Sequence, residues 1–272
     1  MPDGNPIAAL FDQLAATYDD VGVEFIGPIA RGLVTELAPR PGERILDVGC
    51  GKGAALVPLA RAVTPDGAAV GIDVSPGMVD AARAAVAAAG VDATVEVGDA
   101  MDPRVDGGPF DVIASSLVLF FLPDPAAALR AWRPLLVDGG RIGVSTFGAM
   151  TEQWRNTVDG VLHRHAPPGV KDARTDGQAG SFASDAGMEE LLRSAGYRDV
   201  RTATTTVSPR FDDPEHWQRF SMSVGQRRFW AAIPPEEFDE VRAEVFAAAE
   251  ACRDGQGRIG FDQEVRYTIG AR

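Results

Sequence analysis

An aspartate followed by three glycines at alternate positions is the most chemically pointed feature of the chain. Asp47, Gly49, Gly51 and Gly53 stand in "RILDVGCGKGAALVPLA", Arg44 to Ala60. The apolar run Ile45–Val48 reads as a buried strand and Ala54–Val63 as a helix, so the glycines fall in the turn between them. Such a turn presents backbone N–H groups, and glycines let a ligand approach them closely. A phosphate loop needs G-x-x-x-x-G-K-[ST], but Lys52 is followed by Gly53. The dinucleotide fingerprint G-x-G-x-x-G does not fit the spacing either. Asp47 stands where a pyrophosphate would approach and would repel it. The ligand facing Asp47 therefore carries positive charge or hydrogen-bond donors. A second acidic strand tip, Asp73 in "AAVGID", lies where a carboxylate accepts hydrogen bonds from ribose hydroxyls.

These residues need strands and helices to hold them. Strands are predicted at Ala68–Asp73, Thr94–Asp99, Phe110–Ser115 and Arg141–Phe147. Helices follow Ser75-Pro76, stopping at Gly90, and Asp124-Pro125, running to Trp132. Strands alternating with helices on short loops predict an α/β fold with a doubly wound, mostly parallel sheet. After Gly148 the rhythm changes. Helices are predicted over Trp154–Arg164, after Ser184 or Asp185, from Asp213-Pro214 through Trp230, and from Pro235 to near Cys252. "PPGVKDARTDGQAGS" reads as a loop. DVRTATTTV (Asp199–Val207) and FDQEVRYTI (Phe261–Ile269) read as further strands. Residues 148–184 and 208–258 thus look like helical insertions into one sheet, forming a lid within a single domain of residues 1–272. Before the first strand, Ile7, Leu10, Phe11 and Leu14 share a helical face, as do Phe25, Ile29, Leu33 and Leu37.

A ligand with a ribose, no phosphates and a cationic end describes S-adenosylmethionine. At this point the chain resembles the class I S-adenosylmethionine-dependent methyltransferases, in particular the small-molecule group that includes the ubiquinone and menaquinone enzymes. The likeness covers most of residues 10–147 and returns at "LLRSAGYRDV". It implies a Rossmann-like, seven-stranded sheet whose last strand is antiparallel. "LDVGCGKG" matches the glycine motif of the family, which more often has Thr or Ser where Lys52 stands. By this resemblance Asp47, Gly49, Gly51 and Gly53 cradle the methionine moiety and Asp73 contacts the ribose. Met78 packs on the adenine, with Asp99 and Ala100 beside its amino group. Ser115 lies near the methionine end. "FDQLAATYDD" looks like the N-terminal segment in which Tyr18 closes over the cofactor, so the helices of residues 1–40 lie above it.

Methyl transfer is an in-line displacement in which the protein mainly aligns the nucleophile and excludes water. A general base helps only when the acceptor hydroxyl has a high pKa. The candidate bases are His163, His165 and His216, the only histidines of the chain. His163 and His165 fall on different faces of a helix, so no shared metal is expected. Phe120 and Phe121 stand near the end of "VLFFLPD", which predicts an apolar pocket floor. Trp154, Trp217 and Trp230, three of the four tryptophans, lie in the insertions, as do Phe182, Phe211, Phe220 and Phe229. Such a lid suits a small, flat or greasy acceptor.

The bulk properties agree. With 26 basic and 39 acidic residues the formal charge is −13, which disfavours nucleic acid as a partner. The fourth-strand tip reads "ASSL" and lacks the Asn/Asp-Pro-Pro-Tyr/Phe of amino-methylating enzymes. No apolar run is long enough to span a bilayer, no secretory leader is evident, and two cysteines form no disulfide framework. A cytoplasmic enzyme with a small-molecule substrate and no membrane partner is expected; oligomeric state is not encoded in any motif. Methylation of a small aromatic or polyketide-like metabolite, at O or C, is the leading reading. Alternatives are a cyclase or hydroxylase of the same fold, and a non-catalytic S-adenosylmethionine-binding module.

Overall fold

Five residues at the centre of the molecule, Arg44–Val48, form strand β1, buried except at Arg44. The computed structural model describes residues 6–165, 172, 174 and 179–272. Helices α1 (Pro6–Leu14) and α2 (Ile26–Leu37) precede β1. After it come α3 (Leu56–Val63), β2 (Ala68–Asp73), α4 (Pro76–Ala89), β3 (Ala93–Val97), β4 (Phe110–Ser116), α5 (Pro125–Trp132) and β5 (Leu136–Met150). The first insertion holds α6 (Glu152–Trp154), which passes through a wider turn at Arg155–Asp159 into α7 (Gly160–Arg164). Then follow α8 (Asp185–Ser194), β6 (Arg198–Val207), β7 (Arg210–Phe211), α9 (Pro214–Ser223), α10 (Arg227–Ala232), α11 (Phe238–Glu250), β8 (Ile259–Gly260) and β9 (Gln263–Ala271).

The main sheet has seven strands in the order β3-β2-β1-β4-β5-β9-β6. β1, β2, β3, β4 and β5 pair in parallel, whereas β9 runs antiparallel to both β5 and β6. The expected mostly parallel sheet with an antiparallel last strand is therefore present. Chain order reverses between β1 and β4, which opens a crevice at the carboxyl ends of those strands.

Local sequence explains the element ends. Ser75 Oγ accepts from the Met78 amide (3.1 Å), Pro76 opens α4, and Gly90 closes it in the left-handed region at φ 62°. Asp124, Ser184 and Asp213 cap α5, α8 and α9 in the same way. Side-chain alternation along β1 sends Ile45 to one face and Leu46 and Val48 to the other. Ile29, Leu33 and Leu37 of α2 cover the first face, and Leu129, Trp132, Met188 and Leu192 the second.

The start of β5 and the helix after Asp213 depart from the sequence expectation. β5 begins at Leu136 instead of Arg141, because the strand absorbs "VDGG" as an irregularity between the partners of Phe110 and Val112, with Gly139 at φ 80°. The helix expected from Asp213 to Trp230 breaks at Val224, which is extended (φ −125°, ψ −172°). Ser221 and Ser223 turn their hydroxyls onto the Gln218 and Phe220 carbonyls, and Gly225 follows. The break lets α10 fold back, where Trp230 Nε1 donates to Ser221 Oγ (2.7 Å).

Trp154, Trp217, Phe220, Phe229 and Trp230 of the insertions are buried and join the same apolar cluster as α2, α3 and one sheet face. Their first role is thus packing. Trp217→Ala is expected to destabilise the whole protein by about 3–5 kcal/mol, read as a shift of a single denaturant transition. A separate, early transition of the insertions would contradict their integration into the sheet's core.

Candidate active site

The crevice at the chain reversal is a cavity of about 1000 Å³. Gly49 (φ 72°) and Gly51 (φ 52°) shape its floor in the left-handed region. At Gly49 a Cβ would lie 2.4 Å from Val118 Cγ2, so no side chain fits. Asp73 holds the turn in place. Its Oδ2 accepts from the Gly51 amide (2.9 Å) and its Oδ1 from the Ser75 amide (3.0 Å), joining the loops that follow β1 and β2. Burial raises its pKa, opposed by those amides.

Asp47 lines the cavity near the carboxyl end of β1, and only 1% of its surface is exposed. Neither carboxylate oxygen makes a well-formed hydrogen bond. Burial, then the charge of Asp73, push its pKa up to about 7; the Leu56 amide at the start of α3 is what favours the ion. A buried carboxylate in this state lacks a donor or a cation. A group with a cationic amine supplies both, so this site fits S-adenosylmethionine.

Tyr18, Asp47, Gly49, Gly51, Gly53, Asp73, Met78, Asp99 and Ala100 all line this one cavity. Asp99 turns its Oδ1 to the Met101 amide (2.8 Å), and the Ala100 carbonyl accepts from Trp132 Nε1 (2.6 Å). Met78 is buried and packs with Leu10 and Leu14 of α1. Burial, with Asp19 and Asp73 nearby, raises the Tyr18 phenol well above its usual range, so it stays neutral. Ser115 is the exception. Its Oγ donates to the Val48 carbonyl (2.9 Å), a tie between β4 and β1, and the next residue, Ser116, lines the cavity instead. Strand alternation sends adjacent side chains to opposite faces, so a one-residue offset decides which serine is available.

Beside this cavity lies a small one of about 60 Å³, walled by Phe25, Phe120, Phe121, Phe147 and Phe229. The two share Phe11, Tyr18, Ile26, Leu117 and Phe121. Phe120 and Phe121 do form apolar wall here, as their types implied. At its polar end, Arg174 Nη2 donates to Asp159 Oδ1 and Asp172 Oδ2, both at 3.0 Å, and Gln226 Nε2 to Asp159 Oδ1 (2.8 Å). Burial acts to raise Asp172, but Arg174 and His163 more than offset it and hold the carboxyl well below its usual range.

None of the three histidines selected as candidate bases lines either cavity. His163 Nε2 lies 3.4 Å from Asp172 Oδ2, behind the acid, and that bond raises its pKa. His165 Nδ1 faces Glu237 (3.5 Å). His216 Nε2 donates to the Val21 carbonyl (3.0 Å) and its Nδ1 lies 3.4 Å from Asp212 Oδ2. Each histidine faces a carboxylate or carbonyl oxygen. Sequence reading did not mark Asp19, Lys52 or the Asp159–Arg174–Asp172 cluster. Lys52 alone carried a signal, as the departure from the motif. The others become neighbours only through the fold. No group of three metal-ligating side chains occurs among the described residues.

A methyltransferase-domain model matches residues 45–140, the part that holds the glycine turn and both acidic strand tips. Nocamycin O-methyltransferase of Saccharothrix syringae is 34% identical over 271 residues, 96% of either chain. The chain belongs to the S-adenosylmethionine-dependent methyltransferases. Aklanonic acid methyltransferase DauC of Streptomyces is 34% identical over 73% of this methyltransferase and 94% of its own length. A ubiquinone biosynthesis O-methyltransferase of Thiobacillus denitrificans is 30% identical over 74% and 86%. The YcgJ protein of Bacillus subtilis shares the fold, with a TM-score of 0.57 at 16% identity over 89% of this chain and 97% of its own. The methyltransferase uses S-adenosylmethionine to transfer a methyl group, and the cyclase alternative is not favoured. Among the described residues no helix is long and apolar enough to cross a membrane.

The raised pKa of Asp47 has a consequence for stability. A carboxyl whose folded pKa lies above its unfolded value binds its proton more tightly when folded. The unliganded methyltransferase is therefore expected to lose stability as pH rises from about 4 to about 7, on the order of 2–4 kcal/mol from this residue. Asp47→Asn removes that slope and is more stable than the wild type at pH 8 in denaturant titrations, while losing cofactor affinity.

Proposed function

We propose that this methyltransferase methylates an oxygen of a small, largely apolar metabolite held between the two cavities. The observation that carries the reading is their shared boundary. Tyr18, Leu117 and Phe121 face both an acid-lined space of about 1000 Å³, which has room for a cationic nucleoside and a small acceptor beside it, and a small phenylalanine-walled recess that makes this end of the site apolar. The names of two relatives, nocamycin O-methyltransferase and aklanonic acid methyltransferase, support a small acceptor, and the first supports oxygen as the nucleophile. The negative formal charge of −13 argues against nucleic acid.

In this reading Asp47 and the amides of the glycine turn hold the methionine moiety, and Asp73 accepts from the ribose with lone pairs left over from its two amide bonds. Met78, Asp99 and Ala100 surround the adenine. When bound, S-adenosylmethionine supplies an electrophilic methyl carbon on its sulfonium. Tyr18 covers the reacting end, and Phe11, Leu117 and Phe121 exclude water and align the acceptor. The insertions 148–184 and 208–258 act as the lid, within one domain. No histidine takes the acceptor's proton, which is consistent with an acidic hydroxyl or carboxyl that reacts as its anion.

Calorimetric titration of S-adenosylmethionine and S-adenosylhomocysteine is expected to give micromolar binding to the wild type, lost by about a hundredfold or more in Asp73→Ala, which removes one charged partner and loosens the turn. No binding to the wild type would sink the cofactor assignment. Once an acceptor is found by labelled-methyl transfer to metabolite extracts, His163→Gln, His165→Gln and His216→Gln are each expected to keep kcat within about threefold. A general base contributes roughly 10²–10⁴-fold, so a drop of that size in one variant would restore that histidine as the base.

A further inference from the structure

The N-terminal segment is fastened to the wall of the cofactor cavity at separate points. On α1, Asp12 Oδ1 accepts from Ser75 Oγ (2.5 Å) and from the Gly77 amide (2.9 Å) in the first turn of α4. Leu10 and Leu14 bury with Met78 in a small apolar cluster, detached from the two that fill the faces of the sheet. The chain then turns through Asp19, left-handed at φ 50°, whose Oδ2 accepts from the Ile26 amide at the start of α2 (3.0 Å). Between these anchors the Tyr18 carbonyl accepts from Lys52 Nζ at 3.2 Å.

That last bond joins the two parts of the site that sequence keeps furthest apart in kind. Lys52 belongs to the glycine turn under the cavity, and Tyr18 belongs to the segment above it. The ammonium spans the opening between them. A serine or threonine at this position ends several bonds too early to reach the Tyr18 carbonyl.

We propose that Lys52 is a positioning residue that clasps the Tyr18 segment to the glycine turn, so that cofactor exchange requires this bond to break. The proposal rests on the reading of the larger cavity as the S-adenosylmethionine site. Since Tyr18 also borders the smaller cavity, the clasp fixes the boundary between cofactor and acceptor as well.

The test compares wild type, Lys52→Met and Lys52→Arg. Hydrogen exchange of residues 8–19 in the unliganded protein is read first, then the dissociation rate of S-adenosylhomocysteine by stopped flow. Affinity for 5′-methylthioadenosine, which lacks the amino-acid end, is measured alongside. In Lys52→Met the segment is expected to exchange faster and the product to leave about tenfold faster, the factor that one hydrogen bond from a charged donor represents. Methylthioadenosine is expected to weaken in parallel, since a clasp acts on whatever lies beneath it. Lys52→Arg is expected to restore most of each effect, and it keeps the test alive should the Met variant fold poorly. Unchanged exchange in Lys52→Met would overturn the clasp. So would a loss confined to S-adenosylhomocysteine, which would mean that the ammonium meets the ligand's carboxylate directly. Failure of the wild type to bind either nucleoside would defeat the cofactor reading instead, and the exchange measurement would still decide the clasp.

Discussion

The Asp73 carboxylate is the point on which the rest of the site depends. One oxygen takes the Gly51 amide and the other the Ser75 amide, so a single side chain fixes two loops that leave adjacent strands. The glycine turn could not otherwise keep its positive-φ geometry, because glycines lose the most backbone freedom on ordering. With Ser75 held, its hydroxyl caps α4 and meets Asp12 of α1. From that one acid the order passes to the first helix, to Met78 and to the Tyr18 segment. Its charge also adds to burial in raising the still more deeply buried Asp47 toward neutrality.

The insertions show how one set of residues can both build a core and shape a pocket. Their tryptophans are spent almost wholly on packing: Trp154 and Trp217 meet edge to face at 5.6 Å, and Trp217 meets Trp230 at 5.9 Å. Of their phenylalanines, Phe229 lines the smaller cavity, beside Phe25, Phe120, Phe121 and Phe147 from outside the insertions. The buried Asp159–Arg174–Asp172 cluster closes that side with charges already paired. Paired buried charges add little net stability but fix one arrangement strongly, since removing one partner leaves the other exposed to the full desolvation penalty.

The periodic and punctuating residues carried the fold into plain view. Ser75-Pro76 and Gly90 bound α4, Asp124-Pro125 opens α5, and the alternation of short apolar runs with helices yields the parallel sheet. Where local chemistry competed with pattern the reading went astray. Ser221, Ser223 and Gly225 broke a helix that its aromatic periodicity implied, and Gly139 let β5 start five residues early. At the tip of β4, alternation turns Ser115 onto the Val48 carbonyl and leaves Ser116 on the cavity, a distinction that a motif alignment does not make. The histidines were chosen on residue type alone, and type says nothing about which way a side chain points.

The sequence by itself determined the cofactor half of this protein, because that half is built from short-range grammar. A strand, a turn of alternate glycines and an acidic residue at the next strand tip must fall together once β1 and β2 pair in parallel. Only the tertiary structure decided what packs around that half. Lys52 lies 34 positions from Tyr18, and Gln226 lies 67 from Asp159. Such pairs are set by how separate helices pack onto the sheet, and side-chain packing leaves no periodic mark in the chain.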